Sequence, residues 1–228
     1  MRDVAVCVCV GGTVSSGFYV SLTRILLSDA LAVEGRIREH ITEGSGVNVS
    51  MARNRLVDKF LRSGATWAWM LDADMVLRPD TLDGLLDAAD PIERPFVGAL
   101  CYGMREDDGS AFSTTYAWEG ELGSEDETFT QRDLIPGFGT VRVGATGVAC
   151  ALVHRDVFIE TEDTHSSNFP WFQEVELASG KYAGEDIEFM RKCRAAGVPV
   201  YVNTSAAVGH DKSQIVDERV WLAQKLGA

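Results

Sequence analysis

The sequence predicts an α/β fold in which a mixed, mostly parallel sheet is flanked by helices within a single domain. Three observations lead to this prediction. Apolar, β-rich runs alternate with helical stripes over most of the 228 residues. The first run, Val4 to Val10, ends in two glycines and is followed by a helical pattern. A second run, Trp67 to Leu71, ends in Asp72 and Asp74, and ligands bind beyond the carboxyl ends of such strands.

The first strand and the helix after it form the first β-α unit. Polar residues after the glycine turn introduce a helical stripe made of Phe18, Leu22, Ile25 and Leu26. A second strand is predicted over 35–41, where Ile37, Glu39 and Ile41 share one face. Cys7 and Cys9 share one face of the first strand, so we expect both in the core.

A strong amphipathic helix is predicted after Ser50. Its apolar stripe consists of Ala52, Leu56, Val57, Phe60 and Leu61. We expect Arg53 and Arg55 in the first turn, where positive charge opposes the helix dipole. An anionic ligand at that end would account for the two arginines, and solvated side chains are the alternative.

Asp72 and Asp74 are the leading candidates for chemistry. Two carboxylates at the edge of a sheet are costly unless a cation neutralises them, and hard oxygen ligands select Mg²⁺, Mn²⁺ or Ca²⁺. A turn or helix-cap aspartate beside a solvated one is the plain alternative. The position directly after a buried strand favours a role in binding metal and phosphate.

The alternation continues and is then interrupted. A helix is marked by Leu82, Leu85, Leu86 and Ala89. A strand is predicted over 96–102. From Gly103 to about Thr140 the pattern dissolves into acidic residues among Gly, Ser and Thr, which is typical of a functional or partly ordered segment. Hairpins over 114–118 or 129–135 are possible there.

Order returns after residue 142. The predicted elements are a strand over 148–153, a short helix from Arg155, a helix from Gly184, a strand over 198–202, a turn over 208–211 and a helix over 215–226. Acidic residues suit the helix N-terminus at Glu185 and Asp186 for dipole reasons alone. Trp171-Phe172 is either a stacking surface or part of the core under a loop.

Composition excludes several classes of protein. A formal charge of −13 disfavours a broad nucleic-acid-binding surface. No apolar run reaches the roughly 18 residues that a membrane span needs, and we expect no secretory signal. Five cysteines without a C-x-x-C pair favour reduced thiols over disulfides or zinc, so we expect a cytoplasmic protein.

Five sequence segments, taken in chain order, resemble the motifs of the GT-A class of nucleotide-sugar glycosyltransferases, whose fold is Rossmann-like. They are the first strand, Ala52-Arg53-Asn54-Arg55 ahead of Trp69-Met70-Leu71-Asp72-Ala73-Asp74, Gly144-Ala145-Thr146-Gly147, Gly184-Glu185-Asp186, and His210. The resemblance runs from Val4 to about Lys212, although 103–140 matches no motif that we can name. It implies one domain over 1–228, with nucleotide-sugar binding in 1–102 and acceptor binding and catalysis in 103–228.

The resemblance also implies a role for each matching residue. Asp72 and Asp74 look like the D-x-D motif, which holds Mn²⁺ or Mg²⁺ on the donor diphosphate and contacts the ribose. His210 is similar to a late histidine that completes the metal shell. Arg53 looks like a basic residue that contacts the donor, and Val10 and Thr13 match the place of the nucleobase.

Asp186 resembles the general base of inverting members of the class, with Glu185 as the alternate. The implied donor is a UDP- or GDP-linked sugar, and the acceptor is an unknown glycan, protein, lipid or modified nucleic acid. Ala-Arg-Asn-Arg paired with Asp-Ala-Asp also occurs in retaining relatives, where Asp186 would instead orient the sugar or acceptor. The stereochemistry of transfer therefore stays open.

Two other functions remain alternatives. A nucleotidyltransferase has a similar fold and metal chemistry, but its glycine-rich loop normally continues with a basic residue, and here Val14-Ser15-Ser16 follows Thr13. A catalytically inactive domain that binds a sugar or nucleotide is the non-enzymatic alternative. The presence of both aspartates, Asp186 and His210 favours an enzyme over that domain.

Overall fold

The computed structural model describes residues 3–46, 48–105, 109–166 and 168–211. The helices are α1 (Ser16–Leu31), α2 (Val49–Ser63), α3 (Thr81–Ala88), α4 (Arg155–Thr161) and α5 (Glu185–Ala196). The strands are β1 (Val4–Val10), β2 (Ile37–Gly44), β3 (Trp67–Asp72), β4 (Met75–Val76), β5 (Phe96–Leu100), β6 (Tyr102–Met104), β7 (Ala111–Ser113), β8 (Thr115–Glu119), β9 (Thr128–Gln131), β10 (Thr140–Val143), β11 (Ala145–Thr146), β12 (Cys150–His154), β13 (Val175–Glu176), β14 (Tyr182–Ala183), β15 (Val200–Ala207) and β16 (Gly209–His210).

The central sheet has seven strands in the order β10-β15-β5-β12-β3-β1-β2. Strand β1 pairs in parallel with both β2 and β3, and β5 pairs in parallel with β15. Strand β12 lies antiparallel between β3 and β5, and β10 is antiparallel at one edge. Five strands therefore run in one direction, which confirms the predicted mixed, mostly parallel sheet.

Alternate residues of each central strand point to opposite sides of the sheet. Both faces of these strands are apolar, and helices cover both. Ala5, Cys7 and Cys9 pack with α2, α4 and α5 in one core. Val4, Val6 and Val8 pack with α1 and α3 in the other. The predicted α/β architecture is confirmed, and both cysteines of β1 are buried as expected. No helix within the described ranges is long and apolar enough to cross a bilayer.

Helix α2 begins before the predicted boundary. Asn48 is the N-cap, and its side chain accepts a hydrogen bond from the Met51 backbone at 2.7 Å. Ser50 is therefore buried inside the first turn, and the expectation that it precedes the helix is wrong. Arg53 and Arg55 consequently lie in the second turn, and Arg53 is buried rather than solvated.

Several other element boundaries differ from the predicted ones, because pairing between short strands determines them. The strand predicted over 96–102 is divided into β5 and β6, which belong to different sheets. Residues 209–210, predicted as a turn, form β16 and pair with β4. The two possible hairpin segments are partners in one small sheet, where β8 pairs with β9. The helix predicted over 215–226 lies outside the described residues.

Trp171 and Phe172 belong to the core and do not form a stacking surface. Trp171 donates its indole hydrogen to the Phe158 carbonyl at 2.7 Å, and the Phe172 ring lies 4.6 Å from that of Phe189. Both side chains are almost fully buried. Of the two readings that the sequence left open, core packing under a loop is confirmed.

Candidate active site

The carboxyl ends of β1 and β3 meet at one edge of the sheet. Cys9 lies beside Asp72 in the parallel register. Beyond these strands the chain is held by backbone hydrogen bonds, since Ala73 donates to Cys9 at 3.1 Å and Ser15 donates to Ala73 at 2.9 Å. The glycine turn after β1 and the aspartates after β3 are thereby brought to the same place, as the sequence predicted.

A cleft of about 640 Å³ opens between these two turns. Its lining comprises Cys9, Gly11, Gly12, Thr13, Val14, Ser15, Ser16, Ser45, Val49, Asp72, Ala73, Asp74 and Asp211. A Cβ at Gly11 or Gly12 would meet no atom within 4 Å, and neither glycine has a positive φ. Neither packing nor backbone conformation requires glycine there, so the two residues leave space for a ligand close to the main chain.

Asp74, which lines the cleft, forms a pair with His210. Pairing of β4 with β16 sets His210 opposite Met75, and the Asp211 backbone donates to the Asp74 carbonyl at 2.8 Å. The His210 Nε2 atom then lies 2.9 Å from Asp74 Oδ2. Residues 136 positions apart in the sequence are thus in direct contact.

The other ring nitrogen of His210 decides what Nε2 can do. Nδ1 lies 2.9 Å from the Tyr102 carbonyl oxygen, which only accepts, so Nδ1 carries a hydrogen. Nε2 therefore either shares a proton with Asp74 or gives its lone pair to a cation. A backbone carbonyl that orients a histidine in this way is a usual outer contact of metal-binding histidines.

This donor set fits a divalent cation in part. A carboxylate oxygen and an imidazole nitrogen are both ligands that Mn²⁺ accepts. Among the residues that the structure describes, no group of three or more His, Cys, Asp or Glu side chains could hold a metal ion. Asp74 and His210 are therefore two adjacent candidate ligands, and a cation there would need further ligands from outside this pair.

Asp72 faces away from that pair and toward Arg53. The Arg53 Nη2 atom lies 3.1 and 3.0 Å from the two carboxylate oxygens of Asp72, and Nη1 contacts Glu185 Oε1. Arg53 has only 5% of its side chain exposed, against 28% for Asp72 and 14% for Glu185. One guanidinium thus joins α2, the end of β3 and the start of α5.

The positive charge of Arg53 and the negative charges of Asp72 and Glu185 stabilise one another. Burial alone would lower the pKa of the Arg53 guanidinium, but Asp72 and Glu185 raise it above its ordinary value. Arg53 also lies over the Phe172 ring, 5.9 Å from its centroid. The arginine is therefore permanently charged and held on three sides.

Asp186 is the second carboxylate at the start of α5. Burial raises its pKa to about 6, Arg53 opposes that rise, and the negative charges of Glu185 and Asp72 add to it. Its Oδ1 atom accepts a hydrogen bond from the Ile187 backbone at 2.8 Å. A carboxyl group with a pKa near neutrality is suited to taking up a proton during a reaction.

The structure brings most of the predicted site residues to one region, in two groups. Thr13, Asp72 and Asp74 line the cleft, and His210 contacts Asp74. Arg53, Asp72 and Glu185 form the second group, with Asp186 beside it. Val10 and Arg53 are not part of the cleft lining.

Two residues of the region were missed by the sequence analysis. Asp211 lines the cleft as a third carboxylate, and nothing in its local sequence distinguishes it from a surface aspartate. Asn54 is buried and binds the main chain of Trp171 and Phe172. Its spacing from Ser50, Val57 and Leu61 places it on an apolar helix face, and that signal was available.

Neither a protein-family model nor a curated protein matches the sequence significantly. Solved structures do match. A197 from STIV has a TM-score of 0.53 at 16% identity, over 95% of this chain and 97% of that one. GalNAc-T7, in a crystal structure with UDP, GalNAc and Mn²⁺, has a TM-score of 0.57 at 14% identity, over 92% of this chain and 44% of that one. The chain has a GT-A-like fold.

At such low identity the likeness establishes the fold alone. In a GT-A-like fold, as in other open α/β sheets, ligands bind beyond the carboxyl ends of the strands, and the cleft lies there. The fold prediction made from five separated motifs is thus confirmed for almost the whole chain. The roles of individual residues rest on their geometry.

Proposed function

We propose that this protein is a metal-dependent glycosyltransferase that moves a sugar from a nucleoside diphosphate sugar to an acceptor hydroxyl. The observation that carries the proposal is the contact between His210 and Asp74, a residue that lines the cleft of a GT-A-like fold. Asp74 and His210 would hold Mn²⁺ or Mg²⁺, which stabilises negative charge on the diphosphate leaving group.

The charge of the cleft is consistent with this dependence on metal. Its lining contains three aspartates, and no lysine or arginine is among the described residues that line it. Arg53, the nearest candidate, is already shared by Asp72 and Glu185. A diphosphate without a cation would therefore meet only like charge.

Of the remaining residues, some bind the donor and one acts on the acceptor. The open backbone at Gly11 and Gly12 accepts the nucleoside, and Asp72, oriented by Arg53, receives its ribose. Asp186 removes the proton from the acceptor hydroxyl, whose oxygen then bonds to the anomeric carbon. The bond from that carbon to the phosphate oxygen breaks, and its electron pair leaves with the diphosphate.

The test is a thermal-shift panel of UDP, GDP and their sugar conjugates, with Mn²⁺ and with EDTA. A ligand that binds only the folded protein stabilises it by roughly 2.7 kcal/mol at one hundred times its Kd. We expect a shift that needs Mn²⁺, that favours one base, and that is lost in Asp74→Ala and His210→Ala. Asp87→Ala, which removes an exposed carboxylate of α3, is the matched control.

Two results would overturn the proposal. The first is a folded wild-type protein that no nucleotide stabilises in the presence of Mn²⁺. The second is full donor turnover in Asp74→Ala. Binding without any release of sugar would instead favour the inactive binding domain. The nucleotidyltransferase alternative predicts release of pyrophosphate from a nucleoside triphosphate, which is tested by adding UTP or GTP and a sugar phosphate to the same protein with Mn²⁺.

A further inference from the structure

Gly147 is a glycine that the backbone does not require. It has no positive φ, so any residue could adopt its conformation. A Cβ at this position would lie 3.3 Å from Asp186 Oδ2 and 3.6 Å from Thr114 Oγ1. Gly147 therefore forms the floor of a small space between a carboxylate oxygen and a hydroxyl.

Gly144, three residues earlier, differs from Gly147 because backbone atoms surround it. A Cβ there would lie 2.8 Å from the Trp118 backbone nitrogen and 3.0 Å from the Tyr116 carbonyl oxygen. Close approach of two backbone segments thus excludes every side chain at Gly144. At Gly147 the three nearest atoms to such a Cβ all belong to side chains, and the two nearest are the oxygens of Asp186 and Thr114.

The two oxygens of Asp186 have different surroundings. Oδ1 accepts the hydrogen bond from the Ile187 backbone at the start of α5, which fixes the orientation of the carboxylate. Oδ2 accepts no hydrogen bond from any residue in the described ranges, and it is the atom that faces Gly147. The oxygen available to a ligand is therefore the one beside the glycine.

Thr114 is held firmly while its hydroxyl keeps capacity for a ligand. Its backbone donates to Cys101 at 3.0 Å, and its carbonyl accepts from the Thr146 hydroxyl at 3.0 Å and the Gly147 backbone at 3.2 Å. The Thr114 hydroxyl makes only a long contact to the Cys101 carbonyl, at 3.4 Å. Its two lone pairs remain able to accept hydrogen bonds.

We propose that the space bounded by Gly147, Thr114 Oγ1 and Asp186 Oδ2 is the acceptor subsite, and that the acceptor is a sugar or another polyol. The inference rests on the proposed function. The reacting hydroxyl gives its proton to Asp186 Oδ2, and its oxygen forms the new bond to the anomeric carbon as the diphosphate leaves. A neighbouring hydroxyl of the same acceptor donates to Thr114 Oγ1, which positions the acceptor and exchanges no atom.

The test uses the nucleotide sugar that gives the metal-dependent thermal shift, with glycerol and methyl glucoside as acceptor probes. Products of transfer are detected by mass spectrometry, and donor hydrolysis by water is measured in parallel. We expect Thr114→Val to raise the KM for the polyol at least tenfold while the donor-induced thermal shift is kept. Thr114→Ser keeps the hydroxyl and should restore the wild-type KM.

Thr130→Val is the matched control, because this threonine bonds the exposed Glu119 on the same small sheet. We expect it to leave the polyol KM unchanged. Gly147→Ala places a methyl group in the subsite without backbone strain, and should reduce transfer to polyol more than tenfold while the donor-induced thermal shift is kept.

Equal KM values in wild type and Thr114→Val would overturn the inference. So would the absence of transfer to both polyols in a protein that shows the donor shift, and in that case the proposed function would survive. Absence of the donor shift itself would remove the proposed function and this subsite together. The two failures are thus separable in one set of samples.

Discussion

Asp186, the base in the proposed mechanism, carries a cost in stability. Its pKa rises from an ordinary 3.8 to about 6 on folding, mainly because of burial. Between these pH values the folded protein binds more protons than the unfolded chain, so this residue makes stability fall as pH rises through that window. The ionised form that a general base needs is therefore the form that destabilises the fold.

We predict that Asp186→Asn abolishes transfer yet keeps or raises the melting temperature at pH 7. The gain over wild type should grow between about pH 4 and pH 6, because the amide does not titrate. Wild-type transfer should decline below about pH 6, where Asp186 becomes protonated. Thermal melts and rate profiles across this range check both statements. A melting-temperature difference between Asp186→Asn and wild type that is smaller at pH 7 than at pH 4 would contradict the prediction.

Arg53 has the opposite character, since it stabilises the site. Replacing it with Met removes the only charge that the structure places against both Asp72 and Glu185 among the described residues. Breaking such a buried group typically costs about 3–5 kcal/mol in the free energy of unfolding. Urea unfolding of Arg53→Met checks this value. Arg55→Ala, at an exposed position of the same helix, should change it by less than about 0.5 kcal/mol.

The burial of Arg53 also marks a limit of sequence reasoning. The sequence left open whether Arg53 meets an anionic ligand or solvent, and the structure places it on carboxylates of the protein itself. Val49, Arg53, Leu56 and Phe60 share one helix face, which is a sign of burial. The identity of its partners was out of reach, because Glu185 is 132 residues away and is brought near by the sheet.

Asn54 couples helix α2 to the loop that follows α4. Asn54 donates to the Ser50 and Phe172 carbonyls at 2.7 Å each, and its oxygen accepts from Trp171 at 2.9 Å and Phe172 at 3.2 Å. We predict that Asn54→Ala destabilises the protein by about 2–4 kcal/mol, since several buried backbone groups lose their partner.

Asn54→Asp provides a graded comparison for that measurement. The carboxylate still accepts from Trp171 and Phe172 but cannot donate to the two carbonyls, so a loss of similar or larger size is expected at pH 7. Lowering the pH should recover part of it, as the protonated acid can donate once. If Asn54→Ala were as stable as wild type in urea, the loop would be held by apolar packing of Trp171 and Phe172 alone.

Elements with a strong periodic pattern were predicted well, and short ones were not. Strand β1 has the predicted bounds because seven consecutive apolar residues leave no alternative. Strands β6 to β11 have two to five residues each and are mostly half-buried, so their own sequence carries little periodicity. Their positions depend on cross-strand partners, such as Tyr116 opposite Gln131, that local patterns do not reveal.

The central sheet interleaves the two halves of the chain. Strand β12, from the second half, is placed between β3 and β5 of the first, and β15 pairs with β5 on its other side. We predict that residues 1–102 do not fold alone and that the whole chain unfolds in one transition. Tryptophan fluorescence and circular dichroism should give the same urea midpoint. Two separated transitions would show that the halves are independent domains.

The division into a donor half over 1–102 and an acceptor half over 103–228 stays a prediction about function, since both halves contribute strands to one sheet. Motif order along the sequence was sufficient to predict the fold and the residues at the sheet edge. It was not sufficient to separate Asp74, which pairs with His210, from Asp72, which pairs with Arg53. That distinction depends on the directions of two side chains that have one residue between them in the sequence.

The place of β12 has a consequence for biosynthesis. When the first half leaves the ribosome, β3 and β5 have no common neighbour, so each presents an unpaired backbone edge until residues 150–154 have been made. Pairings between distant segments form slowly because a long loop must close first. Insertion of β12 is thus a late event in folding, and the nascent chain is open to chaperones and to aggregation until it occurs.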